Sequence, residues 1–131
     1  MSYSFSKRLE NTTFEEAVAL ITKGLANEGF GILSSVDMKQ TLKTKLDEDF
    51  KRYTILGACN PSFANILLND EDLMGLFLPC NVVVQEDGDA IKVSAIDPSS
   101  FINIVNDEKI EAIILQVRDR ISGAIETLNS K

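Results

Sequence analysis

Histidine and tryptophan are absent from this chain, cysteine occurs twice, and proline only three times in 131 residues. Without histidine a serine nucleophile lacks its usual base, so hydrolase triads are excluded. A zinc site would have two thiols and no imidazole, and it would need acids or a second subunit to complete it. No stretch approaches about 18 uninterrupted apolar residues, so no membrane span and no membrane partner are expected. The opening Met-Ser-Tyr-Ser-Phe-Ser-Lys-Arg has no apolar segment of the kind a signal peptide carries. The expected address is therefore the cytoplasm, where two cysteines are more often free thiols, a metal pair or a transient redox couple than a structural disulfide.

Positive charge is also scarce. The chain carries 13 Lys and Arg against 20 Asp and Glu, a net charge of −7. Residues 1–60 hold 8 basic and 8 acidic side chains, and residues 61–131 hold 5 and 12, so the acidic excess is C-terminal. Outside the mild cluster Lys39, Lys43, Lys45, Lys51 and Arg52 there is no basic tract to neutralise phosphates, and no nucleic acid partner is expected. Gly29-Phe30-Gly31 is too short for a nucleotide-binding loop and precedes a strand, where a helix-to-strand turn accounts for both glycines. Asp70, Glu71 and Asp72 read as a solvated helix start rather than as paired catalytic carboxylates.

What is present is the composition of an ordinary globular protein, 44% hydrophobic and 25% charged, at a length that suits one domain spanning residues 1–131. Residues Tyr3 to Leu9 alternate as a half-buried strand, with Tyr3, Phe5 and Leu9 on one side. Thr13-Phe14-Glu15-Glu16 is a capping-box pattern that starts a helix through Phe14, Ala17, Val18, Ile21 and Leu25 and ends at Glu28-Gly29. Phe30 to Val36 reads as a strand, and Asp37 caps a short helix bearing Met38, Leu42 and Leu46. Arg52 to Cys59 is a third strand, and Pro61 stops it and opens a short helical segment at Ser62 to Leu68. Asn69-Asp70-Glu71-Asp72 caps a further turn that ends by Gly75. Val82 to Val84 and Ala90 to Ile96 form a hairpin about Asp87-Gly88, with Val84 opposite Ile91, Val82 opposite Val93 and Cys80 opposite Ala95. Ile110, Ile113, Ile114, Val117, Ile121, Ile125 and Leu128 make one stripe along a long last helix, whose other side carries Glu111, Arg118, Asp119 and Glu126.

The order is strand, helix, four strands with short helical insertions, then a long helix. This is an α+β arrangement: one antiparallel sheet with the two long helices packed on one face and water or a partner on the other.

Two cysteine motifs, Gly57-Ala58-Cys59-Asn60-Pro61 and Leu78-Pro79-Cys80-Asn81, each close an apolar run. With Thr13-Phe14-Glu15-Glu16, Gly29-Phe30-Gly31, Asp37-Met38-Lys39 through Leu46, Tyr53-Thr54-Ile55-Leu56 and Asp97-Pro98, the chain resembles, over nearly its whole length, the family known as domain of unknown function 302. The resemblance implies a strand-helix-four strands-helix arrangement like that of the TATA-binding-protein fold, without its DNA-binding role, and a homodimer. It brings no catalytic residue and no cofactor.

The candidate site is Cys59, Asn60, Pro61, Pro79 and Cys80. If the third and fourth strands are antiparallel neighbours, both sulfurs sit at one edge of the sheet. There they could form a reversible disulfide, pass sulfur or hold a soft metal. They could equally be small core hydrophobes, since free cysteine is among the most buried residue types. Asn60 and the two prolines read first as turn residues, with a rigid rim to a ligand pocket as the alternative. Asp97 could complete a metal site or cap the Pro98-Ser99-Ser100 turn. The expected function is a homodimeric small-molecule binding or sensing module with a cavity near these residues. A thiol protein using Cys59 and Cys80, and a purely structural dimerisation module, stand as alternatives.

Overall fold

A computed structural model describes residues 3–129. The first two residues of the opening stretch and the last two of the expected domain lie outside them. The chain runs β1 (Ser4–Leu9), α1 (Phe14–Asn27), β2 (Gly31–Asp37), α2 (Met38–Leu46), β3 (Tyr53–Cys59), α3 (Pro61–Asp70), a 3-10 helix (Asp72–Phe77), β4 (Cys80–Asp87) and β5 (Ala90–Ile96). A second 3-10 helix (Pro98–Phe101) leads into α4 (Ile102–Val105) and α5 (Glu108–Glu126). The five strands form one antiparallel sheet in the order β1-β5-β4-β3-β2.

The helix starts follow from their caps. Thr13 accepts a hydrogen bond from the Glu16 amide at 3.1 Å while Glu16 accepts from the Thr13 amide at 3.0 Å. Such a reciprocal pair is worth about 1 kcal/mol to a helix. Asp37 caps α2 through the Gln40 amide, and Asp107 caps α5 through the amides of Lys109 and Ile110.

Alternation along each strand sends Leu9, Ile91, Val93, Ala95, Val82, Val84, Leu56 and Ala58 to one face. There they join Ala17, Ile21 and Leu25 of α1 and Val117, Ile121, Ala124 and Ile125 of α5 in one buried cluster. A smaller cluster of Leu67, Met74, Ile110 and Ile114 lies under α3, the first 3-10 helix and α4. The long apolar stripe of α5 spans both clusters. Lys7 falls on the inner face, where its ammonium donates to the Glu126 carbonyl at the C-terminus of α5 at 2.9 Å, a favourable end for a cation.

Several expectations are corrected. The β4–β5 loop is Gly88-Asp89, not Asp87-Gly88: Asp87 pairs with Ala90, Val84 with Val93 and Val82 with Ala95. Gly88 takes φ +62° at the first loop position, the conformation that suits a tight hairpin turn there. The slip moves each pair without changing parity, so Cys80 keeps its inward face but loses Ala95 as its partner. Tyr3 lies outside β1 with its ring exposed, the first 3-10 helix continues past Gly75 to Phe77, and α4 is an element the apolar spacing did not reveal. Gly29 adopts φ +88° and needs glycine, whereas a side chain at Gly31 would meet nothing within 4 Å.

Candidate functional site

Cys59 ends β3, Asn60 caps α3 and Pro61 is the first residue of that helix. Cys80 opens β4 directly opposite Ala58, so β3 and β4 do bring the two cysteine motifs to one end of the sheet. Both are free thiols, Cys80 buried and Cys59 half-buried. They share one hollow with Phe30, Asn60, Phe63 and Phe101, mainly apolar and about 20 Å³ in volume, which is room for about one water. Burial, and secondarily the neighbouring Cys59, pushes the Cys80 thiol up to about 11. At neutral pH Cys80 is therefore an uncharged thiol, not the thiolate that sulfur chemistry needs.

Asn60 is tied on both sides. Its Oδ1 accepts from the Phe63 amide at 3.4 Å and its Nδ2 donates to the Glu28 carbonyl at 3.3 Å, which also accepts from Arg120 at 3.3 Å. The side chain thus clasps the end of α1 to the start of α3, above Gly29. Pro61 is exposed. Pro79, after a cis peptide bond from Leu78, lies over Gly57 on the other face of the sheet. Of the five expected residues, Cys59, Asn60 and Cys80 line the hollow and the two prolines do not. Asp97 accepts from the amide and hydroxyl of Ser99 at 2.9 and 2.6 Å, which makes it a turn cap. Among the described residues no three His, Cys, Asp or Glu side chains are grouped to hold a metal ion.

Opposite the cluster that packs against α1 and α5, a second site lies on the outer face of the sheet. The register lays three rows across it: Arg8, Lys92, Gln85 and Tyr53; then Ser6, Ser94, Val83, Ile55 and Val36; then Asn81, Gly57 and Ser34, with Ser4 beside Ile96. Their β4 and β5 members, with Ser4, Ser6 and Tyr53, line a hollow of about 330 Å³. The Ser6 and Ser94 hydroxyls bond each other at 2.8 Å. Arg8 is engaged by Asp87, Asp89 and Glu10, whereas Lys92, half-buried, has no hydrogen bond or ion pair among the described residues. At Asn81 and Ile96 this hollow meets a second one of about 270 Å³, walled by Leu76, Phe77, Pro79 and Phe101.

The outer face was missed because each strand was read for its apolar side. The polar half of the same alternation, Ser4-Ser6-Arg8, Asn81-Gln85 and Lys92-Ser94, was the available signal. It becomes a site only when strands far apart in sequence are laid side by side. The mild basic cluster, by contrast, is dispersed: Lys43 pairs with Asp47 and Asp49, Lys39 donates to the Phe50 carbonyl, and Arg52 pairs with Glu15 at 2.6 Å while stacking 4.1 Å over the Phe14 ring. Among the described residues no helix is long and apolar enough to cross a membrane.

Comparison with known proteins adds three findings. A family model described as Domain of unknown function DUF302 matches residues 5–128. The crystal structure of an uncharacterized conserved protein DUF302 from Bacillus stearothermophilus is similar with a TM-score of 0.87 and 27% identity, over 96% of this chain and 98% of that one. No curated protein matches the chain.

Proposed function

Because the chain belongs to the family described as Domain of unknown function DUF302, a description that carries no activity, we propose a function from the site itself: a small-molecule binding module whose ligand lies on the outer face of the sheet. The observation that carries this reading is the contrast between the two hollows. The one beside Cys59, Asn60 and Cys80 holds about 20 Å³, and the outer one about 330 Å³. Ligand sites fall at roughly 300–1,000 Å³ and combine an apolar floor with a few placed polar groups. Val83 and Ile96 supply the apolar floor here, and Ser94, Gln85, Asn81 and Tyr53 supply the polar groups.

The test is a panel of sugars, nucleosides, amino acids and organic acids added to isotope-labelled protein and read by amide chemical shifts. One class should move Ser6, Ser94 and Val83, and Ser94→Tyr, which fills the hollow, should remove the response without a large change in melting temperature. Shifts centred on Phe63 and Cys80 instead would return the ligand to the cysteine end and defeat this reading.

The thiol alternative has one supporting observation, that both cysteines line a single hollow. Against it stands Cys80, which burial keeps protonated. Free thiols at both positions suit a reducing, cytoplasmic setting. Self-association through β1 or β2, whose outer edges are unpaired in the sheet order, is compatible with a binding role. A dimer built on the outer face would occlude the hollow, so light-scattering mass with and without ligand separates the two. Nucleic acid stays outside the reading on charge, because among the outer-face lining residues Lys92 is the sole basic side chain described.

A further inference from the structure

We propose that the ligand of the outer face is an amphiphilic organic anion, a single-chain carboxylate whose head sits at Lys92 and whose apolar tail runs past Val83 and Ile96 to Leu76 and Phe101. This rests on the binding reading above and names the chemical class.

The head is assigned by charge. In a chain of net charge −7, Arg8, Lys43, Arg52, Lys109 and Arg118 each have a carboxylate partner. Lys7, Lys39 and Arg120 bond backbone carbonyls instead, and of the lysines without a partner among the described residues, Lys23, Lys45 and Lys51 are exposed, whereas Lys92 is half-buried and lines the outer hollow. Of the acids near it, Asp87 shares the outer face of β4 and is taken by the Arg8 guanidinium at 3.0 Å, and Asp89 and Glu10 also bond Arg8. An ammonium without a counter-charge is free to pair with an incoming anion through a charge-assisted hydrogen bond. Gln85 and Tyr53, in the same row, carry side-chain donors without partners among the described residues, and they extend the anion site beyond a point charge.

The tail is assigned by continuity. Asn81 and Ile96 line both outer hollows, so one trough runs from Lys92 to the groove walled by Leu76, Phe77 and Phe101. Leu76 is 78% exposed, apolar surface that a tail would cover. Lys92 and Ile96 are four residues apart on β5, about 13 Å at strand rise, so head and tail sites are separated by the length of a medium alkyl chain. A free molecule fits this better than a bilayer: the trough is concave, and the net negative charge opposes an anionic membrane surface.

The experiment uses decanoate below its micelle concentration, with octyl glucoside as a neutral amphiphile and acetate as an anion without a tail, each titrated calorimetrically into the full chain. Decanoate should bind and shift amides at both Lys92 and Phe101, and acetate should bind far more weakly. Lys92→Gln should weaken decanoate roughly tenfold, the value of one charge-assisted hydrogen bond, and leave octyl glucoside unchanged. Leu76→Ser should weaken both amphiphiles. Decanoate binding no tighter than acetate, or binding unaffected by Lys92→Gln, overturns the assignment. If another class from the metabolite panel moves Ser6, Ser94 and Val83 while decanoate does not, the anion assignment falls and the binding reading stands; if nothing moves those rows, both fall.

Discussion

A thiol withdrawn from water resists ionisation, and at Cys80 that resistance makes folding depend on pH. Its pKa rises from an ordinary value near 9 to about 11, first through burial and then through the neighbouring Cys59. Between those values the unfolded chain releases a proton that the folded chain keeps. The contribution is therefore complete below about pH 9 and is lost as pH climbs towards 11, amounting to about 3 kcal/mol for two pKa units. Urea melts from pH 8 to 11 on wild type and Cys80→Ala should show a steeper alkaline loss in the wild type. Parallel curves would falsify the buried-thiol account. The inward side of Cys80 was legible from alternation with Val82 and Val84. Its protonation state was not, because desolvation comes from α3 and α5 residues such as Leu67 and Val117 that reach the hollow only in three dimensions.

Among the elements, β3 is the one whose sequence looks least like its environment. Gly57 sits mid-strand, where glycine is unfavourable, but a Cβ there would stand 2.8 Å from the Pro79 ring and 2.3 Å from the Ser34 hydroxyl. Gly57→Ala should therefore cost about 1–3 kcal/mol in chemical denaturation, the usual range for overpacking. The serine can turn away but the proline ring cannot, so adding Ser34→Ala should restore only part of that loss. Equal stability of wild type and Gly57→Ala would show that the Pro79 ring does not press on β3. The two motifs that drew attention as cysteine motifs are thus joined as much by glycine and proline as by sulfur. Legibility at this scale was uneven for a physical reason. The caps at Thr13 and Asp37 act within three residues and could be read directly, whereas the Asp107 cap of α5, equally local, was not read, because the apolar stripe marks that helix only from Ile110. The hairpin was misplaced by one residue, because Asp87-Gly88 and Gly88-Asp89 are equally good turn chemistry and cross-strand packing chooses between them.

At the scale of the whole molecule, the two buried clusters should differ in how they open. The main one joins the sheet's inner face, with β2 contributing only the partly buried Ile32, to α1 and α5, whereas the smaller one depends on Leu67, Met74, Ile110 and Ile114. Hydrogen exchange should show the 3-10 helix and α4 opening locally while β4 and β5 exchange only on global unfolding. Met74→Ala should widen that gap, whereas Val82→Ala, at a position with no exposed surface, should lower global stability by about 1–3 kcal/mol. Uniform exchange across both clusters would mean the molecule opens as one unit. The sequence by itself determined the α+β class, the order of strands and long helices and the starts of α1 and α2, since periodicity and capping are short-range, and its motifs carried the resemblance to the family. Only the tertiary structure decided that the cysteine end closes to about the volume of one water and that a broad hollow lies on the opposite face. That hollow is assembled from Lys92, Ser6, Gln85 and Tyr53 on four different strands, and their proximity depends on sheet order and register, which no local stretch of chain contains.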